Sequence, residues 1–308
     1  MEYRPLGRSG LQVSEVSLGS WLTLGSSVDR EATREIVHRA YDLGINCFDT
    51  ADVYAAGQAL RAIPRRYLVI ASKACFPMSE HPNDRGLSRK HLFESVEASL
   101  RRLGTDYLDL HQCHRPDPAT PVEETVCAYQ DLVRQGKVLY WGVSEWSAAQ
   151  IGEACRIADR RLAYRPVSNQ PQYSLLRRQI EAELLPACER EGLSQIVFSP
   201  LGQGVLSGKY SGGARPAGSR AADAQRNQFM RAYLAPETLG RVDRLQPIAS
   251  ELGISPAQLA LAWCLRRPSI ASVIVGATRP SQLEENAKAS GVEIPAELLA
   301  RIDAITPA

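Results

Sequence analysis

The 308-residue chain contains no run of about 18 consecutive apolar residues, the minimum for a helix that spans a membrane. Its first ten residues, MEYRPLGRSG, are charged and have no apolar core, which argues against a secretory signal. Basic residues are spread along the chain and the formal net charge is only +2, so the basic footprint of a nucleic-acid binder is missing. Cys47, Cys75, Cys113, Cys127, Cys155, Cys188 and Cys264 are scattered, odd in number and never paired as C-x-x-C. That pattern excludes a disulfide framework and a zinc-ribbon site and suits reduced thiols in a cytoplasmic protein. We therefore expect small apolar fillers at these positions and no metal. Neither dinucleotide fingerprint nor Walker A loop is present. The glycines of Gly202-Gln203-Gly204 to Gly208-Lys209 fit neither spacing, and Tyr210 stands where a P-loop needs Ser or Thr.

Against these absences stand 44% apolar and 23% charged residues, enough for a large core. Short apolar runs lie at Val16–Leu18, Cys47–Thr50, Leu68–Ser72, Tyr107–His111, Leu139–Ser144, Pro166–Gln170, Gln195–Ser199 and Ser272–Gly276. Several lack alternation, as strands buried on both faces should. A hairpin, Tyr3–Leu6 with Leu11–Val13 turned by Arg8-Ser9-Gly10, precedes them. Helix signals fall between the runs. One helix starts near Asp29 and stops at Gly44. Thr120-Pro121-Val122-Glu123, Ser147 to Gln150, Ser255 to Gln258 and Ser281 to Glu284 read as capping boxes. Eight strand–helix alternations imply a parallel sheet with right-handed crossovers. The count of eight favours closure into a (β/α)8 TIM barrel of the α/β class, a single domain over 1–308. Ala74–Leu87 and Leu201–Pro236 are too long for simple connections. Both follow strands and so belong to the C-terminal face, where barrel active sites sit.

Four ionisable residues cluster at that face. Asp49 and Tyr54 follow the second barrel strand, Lys73 the third and His114 the fourth. A free tyrosine, with a pKa near ~10, is a weak acid at neutral pH. A neighbouring ammonium favours its ionised form and lowers that pKa, an aspartate holds the ammonium, and a histidine can bond a substrate oxygen. Together they form a proton-donating set for a carbonyl group.

The motifs that carry this set also carry a resemblance. Phe48-Asp49-Thr50-Ala51-Asp52-Val53-Tyr54, Asp106-Tyr107-Leu108-Asp109-Leu110, Gly142-Val143-Ser144-Glu145-Trp146-Ser147, Phe198-Ser199-Pro200-Leu201 and Gly276-Ala277-Thr278 to Glu285-Asn286 resemble the aldo-keto reductases over essentially the whole chain. Arg115-Pro116-Asp117-Pro118 and Gly204 to Tyr210 resemble the branch near the potassium channel β-subunits and their bacterial relatives. The resemblance implies a catalytic tetrad of Asp49, Tyr54, Lys73 and His114. It implies NADP(H) as cofactor, with Ser144, Asn169 and Gln170 at the nicotinamide amide and Phe198 stacked on the ring. Ser199, Leu201 and Lys209 would serve the pyrophosphate, and Ser219 and Arg220 the loop that closes over it. Gly276, Thr278, Gln282, Glu285 and Asn286 would hold the adenosine end. Ser281 is expected to open a helix after the last strand, where a phosphate is favoured, with Arg279 in reach of a 2′-phosphate.

Other residues read as structural. Trp21 and Phe76 are expected as walls of the substrate pocket, Trp141 as core, and His111 as packed or partly exposed. His38, His81 and His91 are expected on the surface. One departure from the family pattern follows Tyr54: only Ala59 to Ile63 remain for a second barrel helix before Pro64, which should leave that helix short by roughly two turns. The implied function is NADPH-dependent reduction of a small-molecule aldehyde or ketone, with no nucleic acid or membrane partner and a homo-oligomer left open. The alternative is a cofactor-binding regulatory partner like the channel β-subunits. Those subunits carry Asn where this chain has His114, which favours the enzyme.

Overall fold

The computed structural model describes residues 1–21, 28–53, 59–223, 227 and 230–307. A hairpin of β1 (Tyr3–Pro5) and β2 (Gln12–Ser14) precedes the barrel. The barrel strands are β3 (Val16–Gly19), β4 (Cys47–Asp49), β5 (Val69–Ala74), β6 (Leu108–Cys113), β7 (Val138–Ser144), β8 (Ser168–Gln170), β9 (Ser194–Val197) and β10 (Ile270–Val275). They pair in sequence order, all parallel, and β10 closes on β3 through Val273↔Val16. Every expected strand is present within two or three residues. β5 and β6 run further than expected, so Lys73 lies within its strand and His114 follows its strand directly.

The hairpin covers the end of the barrel opposite the strand C-termini. Leu6 and Val13 pack on Cys47, Val69, Ala71, Leu110, Ile196 and Ala271, closing the interior with apolar side chains. The left-handed residue of this segment is Gly7 (φ +60), not Gly10. A Cβ at Gly7 would lie 2.4 Å from the Val167 carbonyl oxygen, so only glycine lets the hairpin approach the barrel floor.

Helices α1 (Arg30–Asp42), α2 (Arg89–Leu103), α3 (Val122–Arg134), α4 (Ala148–Arg160), α5 (Leu184–Glu191), α6 (Pro236–Glu251), α7 (Pro256–Leu265), α8 (Pro280–Ala287) and α9 (Ala296–Ile305) surround the barrel. None among the described residues is by itself long and apolar enough to cross a membrane. Asp29 caps α1, and Ser147 and Ser255 form full capping boxes with Gln150 and Gln258. Two expected boxes are absent. The Thr120 hydroxyl donates to Asp117 Oδ2 at 2.7 Å instead, leaving Pro121 as the N-cap of α3. At α8 the helix begins at Pro280 with Arg279 as its uncapped N-cap, one residue before the serine expected to open it.

The connection from β4 to β5 holds no described α-helix at all, rather than a short one. It makes two single 3-10 turns, Ala59–Ala62 and Arg65–Tyr67, on either side of Pro64. Proline lacks the N–H that would continue the first turn. Leu60 and Ile63 still enter the core. Arg65 supplies polar closure: its guanidinium donates to Asp109 Oδ2 at 2.6 Å, to the carbonyls of Leu68 and Tyr107 at 2.9 Å each, and to the Thr105 hydroxyl at 2.8 Å. Asp109 in turn accepts from the Ile70 amide at 2.8 Å, tying β5 to β6 where a helix would otherwise cover them.

Trp141 is fully buried and stacks on Tyr129, with ring centroids 4.6 Å apart. His111 is wholly buried; its Nδ1 meets the Tyr129 hydroxyl at 2.9 Å, and burial lowers its pKa to about 3. His81 is exposed and His38 half-buried. His91 corrects the expectation of a surface role: it lies on the inner face of α2 with Leu92, Ser95 and Val96.

Candidate active site

The C-terminal ends of the strands open into one cleft of about 780 Å3. Its floor is built from strand residues. Lys73 on β5 is completely buried. Its ammonium donates to Asp49 Oδ2 on β4 at 2.7 Å and to the Thr50 carbonyl at 2.8 Å. Asp49 Oδ1 accepts from Gln170 Nε2 on β8 at 2.9 Å, and the same amide reaches Gln112 Oε1 on β6 at 3.1 Å. Ser144 at the end of β7 donates to the Gln170 carbonyl at 2.8 Å. A buried ion pair is tolerable only when its remaining lone pairs and protons are bonded, and this polar layer supplies those bonds. Gly142 makes room for it. A Cβ there would stand 2.3 Å from Ser168 Oγ and 2.7 Å from the Ser168 carbonyl oxygen.

His114 is buried beside this layer. Its amide donates to the Ala74 carbonyl at 2.9 Å, and its ring sits edge-on to Phe76 with centroids 4.6 Å apart. Burial first, then the charges of Lys73 and Arg115, push its pKa down to about 2. The imidazole is therefore neutral at physiological pH and carries one N–H donor. Tyr54 lies outside the described residues. Among the described residues before it, the Asp52 amide donates to the Lys73 carbonyl at 3.0 Å.

The cleft's second limb comes from the loops after β9 and β10. Phe198, Ser199, Leu201, Lys209, Ser219 and Arg220 line it from one side, and Gly276, Thr278, Gln282, Glu285 and Asn286 from the other. Ser144, Gln170, Asp49, His114 and Trp21 line the first limb of the same cleft. Phe76 stands behind His114. Asn169 is not brought there: strand side chains alternate, so with Gln170 inward Asn169 points out, where its amide donates to Gln195 Oε1 at 3.0 Å.

The structure adds residues that the sequence reading did not place. Arg115 lines the first limb next to His114. Gln203 donates to the Ser199 hydroxyl at 2.7 Å and accepts from Arg220, joining the end of β9 to the 219–223 segment. Ser199 (φ 54) and Gln203 (φ 60) both hold left-handed backbone at the cleft, a conformation that costs non-glycine residues on the order of 1 kcal/mol. Strain of that kind gathers at binding sites. The signal for Gln203 was its place between Gly202 and Gly204, in a segment whose glycines fit no phosphate-loop spacing.

The described residues suit a dinucleotide phosphate. Lys209, Arg220 and Arg279 bring positive charge to one limb, and Ser281 lines it at the start of α8, whose first turn no side chain caps. Uncapped N–H groups at a helix start favour an anion. The Ser219 hydroxyl oxygen is buried there without a hydrogen-bond partner among the described residues.

The Aldo/keto reductase family model matches residues 15–307. The chain belongs to this family. Its members are oxidoreductases, and a barrel with its polar layer beneath the C-terminal cleft is their architecture here. Two relatives, from Oryza sativa subsp. japonica and Arabidopsis thaliana, carry the name "Probable voltage-gated potassium channel subunit beta". They are 46% and 45% identical over 301 residues, covering 95% of this chain and 92% of each relative. A similarly named protein of Schizosaccharomyces pombe is 42% identical over 320 residues, covering 98% of this chain and 92% of that protein.

Proposed function

We propose that this chain, acting as one barrel domain, reduces an aldehyde or ketone to an alcohol with NADPH. Tyr54 is the proton donor. The observation that carries this reading is the fully buried Lys73 ammonium, fixed by Asp49 and the Thr50 carbonyl beside a neutral His114. In a family of oxidoreductases, that floor opens into a cleft whose other limb is basic.

NADPH, held along the second limb by Arg220, Lys209, Ser219 and the start of α8, supplies the hydride when bound. The chain's own residues manage the oxygen. The neutral His114 N–H bonds the carbonyl oxygen and orients it; a donor aimed at developing negative charge typically contributes ~3–4 kcal/mol. Lys73 favours the ionised form of Tyr54 and so brings the phenol's pKa toward neutrality. As the carbonyl carbon gains a hydride, its oxygen takes the Tyr54 proton, and the Lys73–Asp49 pair compensates the charge left on Tyr54. Ser144 and Gln170 present polar groups where the nicotinamide amide would lie. Trp21 walls the substrate, and Phe76 backs the His114 ring.

Steady-state NADPH oxidation with a panel of aldehydes, with the alcohol product quantified, tests the reading. Turnover with matched alcohol formation is expected, and tight NADPH binding with no carbonyl consumed would transfer support to the second reading. That second reading, a cofactor-binding partner of a membrane channel, is favoured by the names of the similar plant and yeast proteins.

A further inference from the structure

Arg115 follows His114 directly at the end of β6 and lines the same limb of the cleft. Its Nη1 donates to the His114 carbonyl at 2.6 Å and reaches the Ser144 hydroxyl at 3.3 Å. Its guanidinium carbon lies 5.7 Å from the centre of the Phe76 ring. No carboxylate is among its described partners. The other cation of the floor, Lys73, is bonded to Asp49. Among the described residues, Lys73 and Arg115 are the cations of this limb, and Lys73 is matched by a bonded carboxylate.

A guanidinium is a planar five-donor fork suited to a carboxylate. Two backbone- and side-chain bonds through one nitrogen fix it in place and leave the rest of the fork for a ligand. Neutral His114 offers an anion a hydrogen bond but no charge; Arg115 beside it offers both. Phe76 packs edge-on against the His114 ring and lies 5.7 Å from the guanidinium carbon, holding the two donors side by side at the cleft.

We propose that Arg115 is a specificity-determining residue that selects carbonyl substrates bearing a carboxylate, the acid anchored on Arg115 while the carbonyl oxygen meets His114. This rests on the reductase reading above, and it commits that reading to a substrate class. An anchor remote from the reacting atoms contributes uniform binding and so acts on KM more than on kcat.

The test compares 3- and 4-carboxybenzaldehyde with their uncharged methyl esters in the wild type, Arg115→Lys and Arg115→Met. For at least one isomer, the wild type should favour the acid over its ester in kcat/KM. In Arg115→Met the acid-to-ester ratio should fall about 10- to 100-fold, equivalent to ~1.4–2.8 kcal/mol, mainly through KM, with Arg115→Lys between. A residue that merely supports Ser144 would lower acid and ester alike and leave the ratio unchanged, which would overturn the proposal. So would a larger loss in NADPH affinity, read by fluorescence titration, than in the acid's. Should no aldehyde turn over, the reductase reading fails and a second measurement still decides the anchor. Calorimetric titration of the NADPH-saturated protein with benzoate and benzamide should show tighter benzoate binding that Arg115→Met abolishes. Equal binding of the two, or none, would reject it.

Discussion

The two limbs of the cleft are built on different principles. At the first limb, where the substrate is proposed to bind, Asp49, Lys73, His114, Ser144 and Gln170 come from five strand ends and are all buried, and a bonded layer joins Lys73, Asp49, Gln170 and Ser144. At the cofactor limb the lining comes from loops and one uncapped helix. Lys209 is exposed, and Gly202, Gly204 and Gly208 all hold positive φ. Chemistry demands groups held within a fraction of an ångström before the substrate arrives, which strands and buried ion pairs supply. The dinucleotide proposed for the second limb would have to enter and leave, which a barrel floor could not permit.

The largest expected departure is at the floor. Lys73→Met strands the buried Asp49 carboxylate with Gln170 as its remaining side-chain partner, and losing one member of such a pair costs ~3–5 kcal/mol. Chemical denaturation should show that loss. An equal stability would mean that the floor is wetter than its burial implies. At the cofactor limb, Arg279→Ala should weaken NADPH by ~1.5–3 kcal/mol and leave NADH binding and the melting temperature without cofactor nearly unchanged. Fluorescence titration with both nucleotides reads this, and equal losses for the two would remove Arg279 from a 2′-phosphate site. Gly142→Ala sharpens the contrast, because it overpacks the polar layer without touching charge. A cost of ~1–3 kcal/mol is expected, together with slower turnover, whereas Gly212→Ala in the open loop meets no neighbouring atom and pays only for its left-handed backbone.

The smallest effect is pH-dependent. Burial raises the Asp52 carboxyl to about 6, against the bond it accepts from Ser95. The folded state binds this proton more tightly than the unfolded chain does. Stability therefore falls as pH rises from about 4 to about 6 and stays lower above that. Asp52→Asn should remove the penalty and stabilise the protein by ~1–2 kcal/mol at pH 7.5, with the advantage vanishing near pH 4. A gain that persists at pH 4 would point to a cause other than ionisation.

The strands and the floor were legible because apolar runs fix buried strands and their ends fix the active face. That logic puts Asp49, Lys73 and His114 at the active face, while their roles, and His114 over His111, came from the family resemblance. Facing within a strand was harder. β8 is only three residues long, too short for alternation to declare which of Asn169 and Gln170 points inward. Caps failed where a competing acceptor existed, as Asp117 does for Thr120. His91 was readable after all, since it repeats with Ser95 and Ser99 on the buried face of α2, but its place in the first turn suggested exposure. The β4–β5 turns depend on Arg65 finding Asp109 forty-four positions away, a pairing no local pattern announces. Arg115 passed as a motif neighbour of His114, because that its described partners include no carboxylate is visible only in the folded surroundings.

In the proposed mechanism the buried floor serves proton delivery through Tyr54. A single-turnover reaction of NADPH-loaded protein with an aromatic aldehyde tests it most directly, comparing wild type with Tyr54→Phe and measuring both NADPH loss and alcohol formed. One alcohol per NADPH consumed is expected in the wild type, with a rate at least ~100-fold lower in Tyr54→Phe and NADPH affinity little changed. Alcohol formation by Tyr54→Phe at the wild-type rate would contradict it.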